Sequence, residues 1–146
     1  VAADEWLDGR TTLVVGGVSL HIEPVGPAHT PEDLAIYLPD EQVLFAGDLV
    51  FRNRIPYVGQ ADSRHWIAAL DRLLAFEPKV IVPGNGPLSQ QARQDMQLTR
   101  DYLLFLRASM GRAAQTMEPF EHLPLFRLAN RMNAYNTYLL LEQEGR

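Results

Sequence analysis

The sequence has no cysteine among its 146 residues, so disulfides, cysteine-ligated metal sites, iron–sulfur clusters and thiol nucleophiles are excluded for this chain. Lysine is nearly missing, since Lys79 is the single example, and the formal net charge is -5. The composition therefore gives no indication of the basic surface that nucleic-acid binding requires. The chain also lacks any apolar run long enough for a membrane span. These absences predict a soluble protein without a nucleic-acid partner, and they leave its compartment open between the bacterial cytoplasm and periplasm.

The residues that are present are typical of a globular protein. Hydrophobic residues make up 47% and charged residues 21% of the chain, and the length suits one domain. Without cysteine, a metal site must use histidine, aspartate, glutamate or asparagine. Histidine itself is scarce, with examples only at His21, His29, His65 and His122. A structural role is the favoured interpretation of His21 and of His65.

The order of the predicted elements indicates a mixed α/β fold, a sheet with flanking helices. The first two strands flank Gly16-Gly17 and form a hairpin, in which His21 and Glu23 are expected on the wet face. A loop is predicted over residues 49–62. Strands are predicted over Thr11–Val15, Val18–Pro24, Leu34–Leu38, 43–46 and 79–82.

Helices are predicted after the fourth strand and through the rest of the chain. A second helix is expected over residues 89–110, with an interruption at Gly111, and a third over residues 125–143. We interpret residues 1–88 as the sheet-bearing part and residues 89–146 as a helical tail packed on it within the same structural unit. The first helix has Asp62 or Ser63 as its cap and an apolar face made of Trp66, Ala69, Leu70, Leu73 and Leu74.

Three polar residues follow the predicted strand ends and form the candidate site. His29 follows the second strand, Asp48 the fourth and Asn85 the fifth. Asp48 lies in the apolar run VLFAGDLVF, where we expect it to be buried. A buried carboxylate costs several kcal/mol unless it is paired or bound to metal. If the three strands are neighbours, their ends meet at one edge of the sheet. A histidine, a carboxylate and a third polar side chain at that edge would suit a cation such as zinc.

Each candidate also has a simpler interpretation. Asp48 could cap a turn, His29 could be an ordinary loop histidine, and Asn85 could be a left-handed turn residue between glycines. Asp33 either hydrogen-bonds its own loop or orients His29. A contact to an anionic substrate is the less favoured interpretation of three residues in the following loop, Arg52, Arg54 and Tyr57.

The segment HTPEDLAIYLPDEQVLFAGDLVF, followed by VIVPGNGP, carries a family resemblance. It resembles the C-terminal half of the metallo-β-lactamase superfamily, and within it the quinoprotein-relay and sulfur-oxidation-type zinc metallohydrolases. The resemblance implies half of an αββα sandwich followed by a helical tail. It also implies that His29 binds one zinc ion and that Asp48 bridges two. Asn85 stands where the family has a second histidine ligand, so the resemblance leaves open a site with one zinc ion, a weakened site with two, or an empty site.

The HxHxDH motif of the family's N-terminal half does not occur in this sequence. The chain begins with Val1, so we expect a truncated or cleaved chain whose missing half supplies the remaining ligands. That half, or a second copy in a homodimer, should cover the apolar face of the sheet.

The implied activity is a hydrolase in which a zinc-bound hydroxide attacks an ester, thioester, lactone or similar bond of a small-molecule substrate. Asp48 would act in catalysis. The alternative is a degenerate or truncated domain without metal or activity, which acts as a binding or dimerisation module.

Overall fold

The computed structural model describes residues 6–59 and 61–117, with side chains through residue 112. The predicted helix over residues 125–143 lies outside the described residues. The chain forms two compact units, Val1–Arg107 and Ala108–Arg146, and all contacts below lie within the first. The elements are β1 (Thr11–Val15), β2 (Val18–Pro24), β3 (Leu34–Leu38), β4 (Val43–Phe51), α1 (Ser63–Leu74), β5 (Val80–Asn85) and α2 (Ala92–Met117).

The five strands form one sheet in the order β1-β2-β3-β4-β5. Neighbours are antiparallel up to β4, and β4 pairs with β5 in parallel. Because parallel neighbours need a crossover, α1 connects β4 to β5. The strands β2, β4 and β5 therefore run in one direction and end at the same edge of the sheet. This mixed α/β architecture confirms the predicted fold class.

One face of the sheet packs against α1. Asp62 caps this helix by accepting hydrogen bonds from the backbone N–H groups of Arg64 and His65. The helix buries most of the apolar face that the sequence predicted, with Leu74 only partly buried. The core beneath it contains Tyr37, Leu44, Ala46, Ile81, Trp66, Ala69, Leu70 and Leu73.

The prediction that β2 turns His21 and Glu23 toward water is wrong. These residues pair with Tyr37 and Ala35, so they lie on the face that packs against α1. Glu23 is 3% exposed and forms ion pairs with Arg10 and with Arg72 of α1. Alternation in a strand distinguishes two faces but does not say which face a helix covers, and the paired arginines make the buried carboxylate tolerable.

The opposite face carries a row of paired residues that crosses all five strands. Within this row Ile22 is buried, while Phe45 is 41% exposed. The neighbouring Leu13 and Leu34 are also exposed on this face. We call this the open face, and its central row consists of Thr11, Ile22, Ile36, Phe45 and Val82.

Three further boundaries differ from the predictions. Strand β5 covers Val80–Asn85 rather than residues 79–82, so Asn85 is its last residue and does not lie in a loop after it. Strand β4 continues through Asp48 to Phe51, because a shift of register at Gly47, where φ is 53°, lets it keep pairing with β5. Helix α2 begins at Ala92 and passes through Gly111 without interruption, since one glycine in a long helix costs only about 1 kcal/mol. No helix in the described part of the chain has the length and apolarity needed to cross a bilayer.

Candidate metal centre

The structure brings His29, Asp48 and Asn85 together at the edge where β2, β4 and β5 end. The carboxylate of Asp48 lies between the other two side chains. Its Oδ2 is 4.0 Å from His29 Nδ1, and its Oδ1 accepts a hydrogen bond of 2.6 Å from Asn85 Nδ2. The predicted convergence of three polar residues from three strand ends is therefore observed.

His29 is held by the loop between β2 and β3. The backbone N–H groups of Val25 and Gly26 both donate to the carbonyl oxygen of Asp33, at 2.8 and 2.9 Å. The Asp33 carboxylate accepts hydrogen bonds from the backbone N–H and the hydroxyl of Thr30, both at 2.6 Å. Asp33 thus hydrogen-bonds its own loop, as the first of its two interpretations predicted.

The imidazole of His29 packs against two aromatic rings. Its centroid lies 5.2 Å from that of Trp66 and 5.7 Å from that of Phe51, and its side chain is 15% exposed. Its Nδ1 is buried and has no hydrogen-bond partner among the described residues. A buried nitrogen without a hydrogen-bond partner is unfavourable. Because Nδ1 faces the Asp48 carboxylate, a partner is expected in the space between these two groups.

Asp48 differs from its prediction in two respects. It lies within β4 rather than in a loop after the strand, and its side chain is 45% exposed rather than buried. Its neighbours Leu49 and Val50 are fully buried, so the apolar sequence around Asp48 was misleading. The carboxylate opens to the site because Gly84 has no side chain; a Cβ there would overlap Asp48 Oδ1 and lie 2.6 Å from the Gly47 carbonyl carbon.

Asn85 ends β5 and pairs with Phe51. The suggestion that it is a left-handed turn residue is wrong, because the positive φ belongs to the next residue, Gly86, at 108°. Its amide oxygen accepts a hydrogen bond of 3.2 Å from Arg54 Nη1. A hydrogen-bonded series therefore runs from Arg54 through Asn85 to Asp48.

The remaining polar candidates have contacts elsewhere. The Arg52 guanidinium is 3.2 Å from the Asp95 carboxylate and donates to the Leu88 carbonyl oxygen at 3.3 Å. His65 Nδ1 lies 2.7 Å from Asp62 Oδ2, and this hydrogen bond lowers the pKa of the Asp62 carboxyl below its usual range. Tyr57 is 73% exposed. His122 lies outside the described residues.

Trp66 also belongs to the site, although the sequence predicted only a core position for it. Its indole N–H donates to the Leu49 carbonyl oxygen at 2.9 Å, while its ring contacts His29. One fully buried side chain therefore contacts both the candidate ligand His29 and the strand residue next to Asp48. Its position on the helix that directly follows the strand with Gly47-Asp48 could have indicated this contact.

The donor set supports a partial metal site. Zinc lies about 2.0–2.2 Å from histidine nitrogen and carboxylate oxygen, so the 4.0 Å between His29 Nδ1 and Asp48 Oδ2 is within the span of one ion. No group of three or more His, Cys, Asp or Glu residues that could hold a metal occurs among the residues the structure describes. Further ligands would have to come from outside these residues.

Comparison with known proteins adds independent information. A sequence profile described as the metallo-beta-lactamase superfamily matches residues 2–85. A linear primary-alkylsulfatase of a Pseudomonas species is 28% identical over 148 aligned positions, which cover 93% of this chain and 27% of that protein. A type 2 metallo-beta-lactamase of Bacteroides fragilis is 30% identical over 80 positions, covering 51% of this chain and 32% of that enzyme.

Solved structures give the same result. A metallo-beta-lactamase from Pontibacter korlensis superposes with a TM-score of 0.62 and 30% identity, over 69% of this chain and 48% of that one. A metallo-beta-lactamase family protein of Thermus thermophilus gives 0.59 and 26%, over 66% and 34%. The chain thus spans about a third or less of the curated relatives and up to about half of these structures.

Proposed function

The chain belongs to the metallo-beta-lactamase superfamily, and we propose that it forms part of a zinc-dependent hydrolase to which it contributes His29 and Asp48 as ligands. The observation that carries this proposal is the buried His29 Nδ1, which has no hydrogen-bond partner in the described part of the chain and faces a carboxylate oxygen 4.0 Å away. A cation between them would satisfy both atoms. The remaining ligands would come from residues beyond those described here.

The chain's own residues have distinct tasks in this proposal. His29 is oriented by the rings of Trp66 and Phe51, and Asp48 by the hydrogen bond from Asn85. Zinc, when bound, would supply an activated water and polarise the substrate oxygen. Asp48 is exposed enough to orient that water and to accept a hydrogen bond from it, which is why we assign it a catalytic role.

The substrate class is a proposal drawn from the relatives' names. One relative is an alkylsulfatase and another a beta-lactamase, so hydrolysis of a sulfate ester or of an amide- or ester-like bond is the reaction to test first. Both are displacements at a polarised centre by water, which a carboxylate-oriented nucleophile and a Lewis acid would serve equally.

Metal content of the native protein tests the proposal directly. Native mass spectrometry and elemental analysis should find zinc in the wild type and its loss in the His29→Ala variant. His65→Ala is the matched control, since His65 also faces a carboxylate but lies 59% exposed at the start of α1. Zinc retained by His29→Ala, or absent from the wild type after addition of zinc, would contradict the proposal.

We further propose that the open face is covered by the other half of the same family domain. Its partly exposed apolar row is unusual for a free surface, and the similar Pontibacter chain is about twice as long as the part matched. Native mass distinguishes the occupants. A single chain longer than these residues supports the proposal, and a mass twice the 16.5 kDa of this chain would assign the face to a second copy.

The second candidate function is a module without metal that binds a partner. Asn85 favours it, because an amide replaces the expected imidazole ligand and donates its N–H to Asp48. The two functions differ in their response to zinc. A hydrolase should gain thermal stability with zinc because zinc binds the native state, whereas a metal-free module should not.

A further inference from the structure

The Asn85 amide has a defined orientation. Its two polar atoms face groups of opposite hydrogen-bonding character, the Arg54 guanidinium on one side and the Asp48 carboxylate on the other. A guanidinium only donates hydrogen bonds, and an ionised carboxylate only accepts them. The oxygen of Asn85 must therefore face Arg54, and its NH2 group must face Asp48.

This orientation conflicts with a role as a metal ligand. Asparagine binds metals through its amide oxygen, and that oxygen is turned away from Asp48 and His29. The NH2 group occupies the position beside Asp48 Oδ1, at 2.6 Å. A cation shared between residue 85 and this carboxylate oxygen would be repelled by the N–H dipole, and the amide would have to turn and lose both hydrogen bonds.

We infer that Asn85 is a positioning residue that directs Asp48 Oδ2 toward His29, and that the site holds one metal ion rather than two. Oδ1 is engaged by the amide, so Oδ2 is the atom left to face His29 Nδ1, 4.0 Å away. Arg54 acts indirectly, because its hydrogen bond to the Asn85 oxygen determines that the NH2 end of the amide faces Asp48. This inference rests on the proposed zinc function for its metal count, but not for the Asn85–Asp48 contact.

Arg54 is suited to this role because its charge is available. No carboxylate lies within ion-pair distance of it among the described residues, whereas Arg10, Arg52, Arg72, Arg93 and Arg100 each have at least one. Among the described residues, Asn85 Oδ1 is the hydrogen-bond acceptor of the Arg54 side chain. Loss of the guanidinium should therefore act on the site through Asn85.

The experiment is a zinc titration of the native protein and of its variants, with metal counted by native mass spectrometry. The wild type and Asn85→Ala should both bind one ion, and Asn85→Ala should bind it about 10–100-fold more weakly, as for loss of a residue that supports a ligand. Arg54→Met should weaken binding in the same direction and Arg54→Lys, which keeps a donor, should restore part of it. Arg64→Met, at an exposed position of α1, should have no effect.

Two ions in the wild type and one in Asn85→Ala would overturn the inference, because Asn85 would then be a ligand. If the wild type binds no zinc, the proposed function fails, and the contact is decided separately by the side-chain amide NMR signal of Asn85 in metal-free protein. A proton of this NH2 group should be shifted downfield by the carboxylate, and Asp48→Ala should abolish the shift. An amide signal that is the same with and without Asp48 would overturn the inference.

Discussion

The indole N–H of Trp66 donates to the carbonyl oxygen of Leu49 at 2.9 Å, and neither residue is exposed. This bond joins α1 to β4 one residue beyond Asp48, while the same indole ring contacts His29. The position of both candidate ligands therefore depends on one core side chain. The core and the site of this protein are physically coupled.

Substitution of Trp66 should separate packing from hydrogen bonding. Trp66→Ala leaves a large cavity and should lower the free energy of unfolding by about 3–5 kcal/mol. Trp66→Phe keeps a ring beside His29 but leaves the Leu49 carbonyl unpaired, which should cost about 1–3 kcal/mol. Urea unfolding measures both. The control is Trp6→Phe, since Trp6 is 89% exposed; an equal loss there would contradict the assignment.

Gly84 should tolerate no side chain. The Cβ of Gly84→Ala would meet Asp48 Oδ1 and lie 2.9 Å from Asp48 N, so overpacking should cost about 1–3 kcal/mol and displace the carboxylate from His29. Gly111→Ala is the matched substitution, since no atom of the described residues lies within 4 Å of its Cβ, and it should stabilise α2 by about 0.5–1 kcal/mol. Thermal melts with and without zinc report both effects, and equal behaviour of the two variants would refute the prediction.

The pair between Arg52 and Asp95 should contribute more than a surface pair. Arg52→Met leaves Asp95, which is 9% exposed, without its 3.2 Å partner, and should cost about 1.5–3 kcal/mol. Arg93→Met removes the exposed pair with Glu77, at 3.5 Å, and should cost about 0–1 kcal/mol. Denaturant unfolding of the two variants tests the ranking. The reverse order would show that Arg52 does not stabilise the contact between α2 and the segment that follows β4.

The pH dependence of stability should contain a contribution from Asp62. Its pKa is lowered below the usual 3.8 by the hydrogen bond with His65, so its ionised form stabilises the folded state above the unfolded pKa. That stability is lost as the pH falls through the lowered pKa. Asp62→Asn keeps a capping oxygen but removes the charge, and should flatten this acid limb of the melting temperature. His65→Ala should do the same, and an unchanged acid limb in both variants would rule out this contribution.

Much of the sheet could be predicted from local sequence. Gly16-Gly17 between alternating strands determines the hairpin of β1 and β2, and both strands have the predicted bounds. The end of β4 could not be predicted in this way. A bulge at Gly47 depends on the partner strand β5, which is distant in sequence.

The candidate site was also predicted only in part. The three residue types at the strand ends were sufficient to predict that His29, Asp48 and Asn85 lie close together, because strand direction brings those ends together. The exposure of the Asp48 side chain could not be predicted, since it depends on the close approach of Gly84, which has no Cβ. The proposed role of Arg54 depends on a hydrogen bond between the loop after β4 and the last residue of β5, and such a bond leaves no periodic pattern.

The strand order has a consequence for folding kinetics. Each strand from β1 to β4 pairs with its neighbour along the chain, so these pairings close short loops and should form early. Pairing of β4 with β5 must wait for the chain through α1 to be ordered. The contact between Asp48 and Asn85 joins these last two strands. We therefore expect that the hydrogen bond that orients Asp48 forms only in the last step of folding, and that a partly folded chain binds metal more weakly than the native chain.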